Sequence, residues 1–293
     1  MTRLRRAIAD ATDALAAAGV DTPRVDAEQL AAYTAGIDRG RLAFHEPDEP
    51  FFGRYRDLID ARARRIPLQH LTSSAAFGSV TVAVGPGVFI PRPETESLLE
   101  WALAQPLPAS EGRSEATGEL HRPLIVDLCT GSGALAVALA HERPGARIIA
   151  VDDSADALAY ARRNSAATAI DVIEADVTAP GLLAEHAGAV DLIVANPPYI
   201  PDCAQLEPEV AQHDPKHALF GGPDGMQVIG PIVDLAARLL RPGASIGVEH
   251  DDTTADATTA LFDRAGAFTD VLSRRDLAGR PRFVTATRTG VRS

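Results

Sequence analysis

Asn196-Pro197-Pro198-Tyr199, directly after the apolar run Leu192-Ile193-Val194, carries the most specific chemistry in this sequence. An asparagine side-chain oxygen and the backbone carbonyl of the next proline are two acceptors that can hold one planar NH2 group. Such a pair favours pyramidal geometry at the nitrogen and aims its lone pair at an electrophile. That work is done by positioning and electrostatics and needs no strong base. Pro198 fixes the turn, and the Tyr199 ring can pack on a planar amide or base. The bland alternative is a Pro-Pro turn that merely ends a strand.

A second constellation begins at Asp127-Leu128-Cys129-Thr130-Gly131-Ser132-Gly133, again after a short apolar run. Its glycines let backbone approach a ligand closely and turn sharply into a helix. Ala136 occupies the third glycine position of G-x-G-x-x-G, so a pyrophosphate is not the obvious guest. Asp127 instead supplies an anion suited to an ammonium group. Asp152 ends the next strand and can accept both hydroxyls of a ribose, and Asp176 can accept from an adenine amino group. Singly each aspartate reads equally well as a cap or a solvated turn. In this order, after the glycine loop, they describe an adenosyl amino acid.

Such residues need strand ends to stand on, and the sequence supplies them. Leu124–Leu128, Arg147–Asp152, 172–176, 191–195 and 245–249 read as strands, with helices over 134–141, 155–164, 226–240 and 253–265. Repeated βα units imply a mostly parallel sheet covered on both faces. Strands 268–272 and 282–287 have no helix between them and predict an antiparallel edge hairpin. The first 65 or so residues are helical: Leu4, Ile8, Ala11 and Leu15 share a face, Thr22-Pro23 opens a second helix, and Asp48-Glu49-Pro50 a third. Alternation from Phe77 to Val84 reads as a hairpin, and a helix starts near Thr95. The expected organisation is a helical domain over 1–68, a hairpin and connecting helix over 69–104, a linker or surface loop over 105–123, and a catalytic domain over 124–293.

Composition narrows the function classes. A chain of 293 residues with 46% hydrophobic and 23% charged residues is globular and long enough for one domain with a smaller companion. Its net charge of −12 disfavours nucleic-acid binding, which rests on neutralised phosphates. Asp10 and Asp13 interrupt the alanine-rich N-terminus, unlike a signal peptide, and no run approaches the roughly 18 apolar residues of a membrane span. A cytoplasmic protein is expected. Cys129 and Cys203 cannot build a disulfide framework, and Pro215 between His213 and His217 argues against a helical metal pair, so no metal is expected. Arg62, Arg64 and Arg65 read as a solvated helix face, with contact to a partner as the sharper alternative.

Asn196 to Tyr199 resembles the tetrapeptide of the class I amino-methyltransferases, which include adenine-N6 and glutamine-N5 enzymes. Further segments are similar to the release-factor glutamine methyltransferases (the PrmC/HemK family) alone: Phe89-Ile90-Pro91-Arg92-Pro93-Glu94-Thr95-Glu96, Asn196 through Pro201, Ala218 through Gly225, and Arg275 through Arg282. The resemblance spans nearly the whole chain outside 105–123. It implies a class I S-adenosylmethionine-dependent methyltransferase fold, Rossmann-like, with a mostly parallel seven-stranded sheet, an antiparallel edge hairpin and a small N-terminal helical domain that docks the substrate. It implies that Asp127, Leu128, Cys129, Thr130, Gly131, Gly133, Asp152, Asp176, Val177 and Asn196 hold S-adenosylmethionine. Asn196, Pro197, Pro198 and Tyr199 would hold a substrate glutamine, with Arg92 and Glu94 shaping the pocket and Asn196, Pro197 and Tyr199 acting in catalysis. The implied substrate is the glutamine of the Gly-Gly-Gln motif in class I peptide-chain release factors. Three places depart from the family pattern: Cys129 where glycine is common, Asp214-Pro215 for Glu-Pro, and His250-Asp251-Asp252-Thr253 in place of a segment with glycine and glutamine. An adenine-N6 nucleic-acid methyltransferase and a catalytically silent S-adenosylmethionine-binding protein are the competing readings.

Overall fold

The computed structural model describes residues 2–108 and 122–290, so most of the expected linker over 105–123 lies outside the described residues. The chain divides into two compact units. The first comprises Met1–Ser74, Val84–Pro86 and Leu206–His213. Its helices are α1 (Arg3–Ala17), α2 (Pro23–Ala35), α3 (Glu49–Ala63) and α4 (Leu68–Thr72), joined by the short helix Pro208–His213 from the middle of the chain. Asp48 caps α3 by accepting from the Phe51 amide at 3.1 Å. Thr22 precedes α2 but caps no amide; its hydroxyl donates to Asp26 at 2.8 Å. Leu15, Leu30 and Phe51 are almost fully buried, each burial contributing about 1.5–3 kcal/mol. The Phe51 and Tyr55 rings stack at 5.5 Å, and the Tyr55 hydroxyl donates to the Ala27 carbonyl at 2.9 Å.

Inside this unit the expected solvated face fails for two of its three arginines. Arg62 is buried, its guanidinium 2.7 Å from Asp26 and 3.0 Å from Glu209. Arg65 reaches the same Glu209 at 2.7 Å. Their charges are consumed internally because Glu209, distant in sequence, is brought to the end of α3.

The second unit holds a small hairpin, β1 (Ser74–Phe77) and β2 (Val80–Ala83), then α5 (Glu96–Leu103) and a seven-stranded sheet. The sheet strands are β3 (Leu124–Leu128), β4 (Arg147–Asp152), β5 (Ile170–Glu174), β6 (Val190–Ala195), β7 (Leu240–Glu249), β8 (Phe268–Arg275) and β9 (Pro281–Arg288), in spatial order β5-β4-β3-β6-β7-β9-β8. The first five in that order run parallel, while β9 is antiparallel to both β7 and β8. This is the expected sheet with its edge hairpin. The covering helices are α6 (Ala134–Glu142), α7 (Ala155–Asn164), α9 (Ile229–Leu239) and α10 (Ala255–Ala265), with α8 the helix Pro208–His213 already placed in the first unit.

Every residue of β3 and β6 is buried, which is why both read as near-continuous apolar runs. Two expectations shift. The connection from β5 to β6 carries only a 3-10 turn, and β5 ends at Glu174, leaving Asp176 on the following loop. Strand β7 begins at Leu240, ahead of Ser245, because its first residues pair with β6 at Val190. Gly247 on β7 is required by contact: a Cβ there would meet Leu98 and Trp101 of α5 at 2.6 Å. Between β3 and β4 on one side and β6 on the other lies the switch point at which ligands bind in open α/β sheets.

Replacing Arg62 with methionine should strand the Asp26 carboxylate in the core and lower unfolding free energy by about 3–5 kcal/mol. Urea titration checks this, and a loss below about 1 kcal/mol would mean that the pair is effectively solvated.

Candidate active site

Strand β6 delivers Asn196 to the mouth of the switch point, and the residues after it are clamped by a second segment. Ile200 donates its amide to the Leu219 carbonyl at 2.9 Å, Gly221 to the Ile200 carbonyl at 2.9 Å, and Asp202 to the Gly222 carbonyl at 3.0 Å. The glycines of 221–225 make this approach possible: a Cβ on Gly225, where φ is 77°, would meet the Tyr199 carbonyl at 2.2 Å, and one on Gly221 would meet the Pro198 carbonyl at 2.5 Å. Asn196 donates its Nδ2 to Thr95 Oγ1 at 3.2 Å. The Asn196 Oδ1 and the Pro197 carbonyl take no protein donor among the described residues. Both residues line a cavity of about 300 Å³.

That cavity gathers Asn196, Pro197, Pro198 and Tyr199 with Cys129, Thr130, Gly131, Asp152, Asp176 and Val177. Asp152 Oδ2 accepts from the Gly131 amide at 2.8 Å and its Oδ1 from the Ser154 amide at 3.0 Å, so the carboxylate ties the glycine loop to the end of β4. Burial raises the pKa of Asp152, opposed by these two amides. Its remaining lone pairs are free for ribose hydroxyls. Asp176 is exposed, its Oδ1 occupied by the Thr178 hydroxyl and amide, which hold its carboxyl below the usual range. Val177, buried in the same wall, offers an apolar surface for a planar base. This donor and acceptor set fits an adenosyl amino acid.

Five of the expected residues do not line the cavity. Asp127 is wholly buried beneath the loop, where its Oδ2 accepts from the Thr130 hydroxyl at 2.5 Å and the Ala136 amide at 3.2 Å. It anchors the glycine loop. Leu128 points into the core, and Gly133 packs on α7, where a Cβ would lie 3.3 Å from Ala161 Cα. Arg92 pairs with Asp214 and lies over the Phe89 ring at 4.8 Å, and Glu94 is exposed. Phe89, Pro91 and Thr95 are the members of the Phe89–Glu96 segment that reach the cavity. Position parity along the turn, invisible in a motif, decides which side chains face inward.

The structure also adds residues that sequence reasoning missed. Phe77 and Phe89 both line the cavity, and His217 hydrogen-bonds Asp153, the neighbour of Asp152, at 2.7 Å. Donating a hydrogen bond to Asp153 raises the His217 pKa. Aromatic residues at the end of a hairpin were the only available signal for the first two. Cys129 takes a left-handed φ of 59°, a conformation that suits the glycine common there. Burial, with Asp152 adding to it, pushes its thiol well up, which disfavours the thiolate. Burial likewise pushes up the Tyr199 hydroxyl, with Glu249 adding to it, so that tyrosine offers a ring and not a base. Among the described residues no three His, Cys, Asp or Glu side chains converge on a metal position, and no helix is long and apolar enough to cross a membrane.

A glycine loop tied to acidic strand ends, opposite an open acceptor pair at the end of β6, defines a class I methyltransferase of the type that modifies NH2 groups. Comparison with known proteins agrees: residues 6–72 match the PrmC N-terminal domain family and residues 115–214 the methyltransferase small domain family. The chain is 63% identical to the release factor glutamine methyltransferase of Mycolicibacterium smegmatis, over 98% of this chain and 99% of that one. It is 45% identical to the enzyme of the same name from Corynebacterium glutamicum, over 98% and 99%. A solved methyltransferase structure from Pyrococcus furiosus, 14% identical, aligns over 72% of this chain and 89% of that one with a TM-score of 0.48. The chain belongs to the release factor glutamine methyltransferase family.

Burial pushes the Asp127 carboxyl up to about 7 and the Glu249 carboxyl up to about 8. Both groups keep a proton in the folded state to higher pH than in the unfolded chain. Their contribution to stability is complete below the unfolded carboxylate range and is lost as pH rises through about 7 and about 8. Melting temperatures of the ligand-free protein should therefore fall across this window. Asp127→Asn, neutral throughout, should flatten the slope, and an unchanged slope would show that Asp127 is not the titrating group.

Proposed function

We propose that this protein transfers the methyl group of S-adenosylmethionine to the side-chain amide N5 of the glutamine in the Gly-Gly-Gln motif of class I peptide-chain release factors, giving N5-methylglutamine. The observation that carries the reading is the open acceptor pair, Asn196 Oδ1 and the Pro197 carbonyl, in a chain 63% identical to a release factor glutamine methyltransferase. An amide nitrogen is a poor nucleophile because its lone pair is delocalised into the carbonyl. Two acceptors on its two N–H groups favour pyramidal geometry and localise that lone pair. The Tyr199, Phe77 and Phe89 rings would confine the planar amide, and the apolar lining excludes water.

When bound, S-adenosylmethionine supplies an electrophilic methyl group. Cys129, Thr130 and Gly131 would cradle its amino-acid portion, Asp152 its ribose, and Asp176 with Val177 its adenine. After transfer the methylated nitrogen carries a positive charge and is strongly acidic, so its extra proton passes to bulk water, and Asn196 and Pro197 act only as hydrogen-bond acceptors. We assign substrate docking to the helical unit. The net charge of −12 supports a protein target over a nucleic acid and is consistent with a cytoplasmic enzyme that meets its substrate in translation.

The direct test is transfer of labelled methyl to purified release factor, beside its Gln→Ala motif variant and duplex DNA. Label on the unmodified factor alone is expected; label on DNA, or none, overturns the proposal. Asn196→Ala should lower kcat about 100-fold or more while leaving cofactor affinity nearly intact, since the lost bond matters most in the transition state. Asp152→Ala should weaken S-adenosylmethionine binding about 10- to 100-fold by calorimetry. Undiminished affinity would remove its ribose role.

A further inference from the structure

Between Asp214 and Leu219 the cavity wall is a short piece of chain with little structure of its own. Pro215, His217, Ala218 and Leu219 line the cavity, and Lys216–Ala218 form a single 3-10 turn. One such turn is too short to fix its own place. Its position comes from bonds at three points. Asp214 pairs with Arg92 at the start, and the Leu219 carbonyl accepts from the Ile200 amide at 2.9 Å at the end. Between them the His217 side chain crosses to another wall, its Nε2 lying 2.7 Å from Asp153 Oδ1.

Asp153 also lines the cavity, and it follows Asp152 at the end of β4. The Asp152 carboxylate in turn holds the Gly131 and Ser154 amides. One bond therefore joins the turn that leads into the clamp on the Asn196–Tyr199 segment to the strand end set against the glycine loop. Neither partner is deeply buried: the His217 and Asp153 side chains are 68% and 40% exposed. A pair so open to water contributes little to folding. A ligand filling the cavity would exclude water from the side of the pair that faces it, and their attraction would then strengthen. A contact of this kind serves binding more than stability.

We propose that His217 is a positioning residue for S-adenosylmethionine, holding the Lys216–Ala218 turn against the end of β4 through Asp153 and so closing the cavity beside Asp152. The role rests on the reading that S-adenosylmethionine occupies this cavity. The charged groups facing His217 are Asp153 and Asp152 at the end of β4 and Asp176 beyond β5, while Lys216 shares its own turn. The hydrogen bond to Asp153 raises the His217 pKa above its ordinary 6.5, burial opposes this, and the three carboxylates add to the rise. Protonated His217 makes a charge-assisted bond, and neutral His217 keeps at most an ordinary donor. The clasp is therefore strongest below that raised pKa and weakens as pH rises through it.

The test is calorimetric binding of S-adenosylhomocysteine, which lacks the sulfonium charge, to wild type, His217→Ala, His217→Gln, Asp153→Asn and the His217→Ala/Asp153→Asn double variant. At a pH of about 6, His217→Ala and Asp153→Asn should each weaken binding about fivefold, and at about 8.5 by no more than about twofold. The double variant should lose no more than the worse single one, because both break the same bond. His217→Gln, which keeps a neutral donor, should fall between, its gap to wild type closing as pH rises. In turnover at about pH 6, His217→Ala should raise the KM for S-adenosylmethionine and leave kcat within about twofold. The His217 ring, followed by NMR in the ligand-free protein, should titrate above 6.5 in wild type and lower in Asp153→Asn. Saturating S-adenosylhomocysteine should raise it further, since proton and ligand favour each other reciprocally. Wild-type affinity in His217→Ala at about pH 6, multiplied losses in the double variant, or a His217 titration unmoved by Asp153→Asn would overturn the clasp. If wild type binds no S-adenosylhomocysteine, the cofactor reading fails instead, and the ligand-free titration still decides whether the clasp forms.

Discussion

Two hydrogen-bond acceptors must stay unpaired in a largely apolar cavity, and much of the catalytic unit is organised around keeping them so. An exposed carbonyl and an amide oxygen without partners are costly wherever water is scarce, commonly about 1–3 kcal/mol each. Left to themselves they would find a donor by bending the chain. The backbone after β6 is prevented from doing this by its pairing with 219–222, and glycines at 221 and 225 permit an approach that any side chain would block. The prolines at 197 and 198 contribute differently: neither has an amide that could turn inward and satisfy a neighbour. An acceptor pair held in this way is ready to bind an NH2 group and has little reorganisation left to undergo.

Acidic residues at the strand ends fall into three roles set by burial. Asp127, wholly enclosed, stabilises the loop above it through Thr130 and the Ala136 amide. Asp152, partly enclosed, is split between holding Gly131 and facing the cavity. Asp176, exposed, keeps a lowered pKa and one free oxygen. A net charge of −12 therefore says little about the site, where each carboxyl is governed by its own neighbours. The helical unit shows the same principle in its buried Arg62 between Asp26 and Glu209. A charged triad is a weak source of stability but a strict one in geometry, since any misplacement leaves a charge unpaired.

The sequence by itself determined the sheet, its edge hairpin, the helical N-terminus and the identity of the tetrapeptide at the end of β6. These follow from local patterns: burial on both faces leaves apolar runs, caps and prolines mark helix starts, and a motif of four adjacent residues needs no tertiary information. It also marked Asp152 and Asp176, because residues at and just beyond the ends of parallel strands lie at the edge where ligands bind in such sheets, and the family resemblance added Val177; all three line the cavity. Only the tertiary structure decided that Asp127 lies under the loop, that Thr95 and not Arg92 or Glu94 reaches Asn196, and that Arg62 is buried. It alone brought Phe77, Phe89 and His217 to the cavity. Each of these depends on which side of a turn a side chain leaves, or on a partner far along the chain. Residue order constrains neither until the elements have packed.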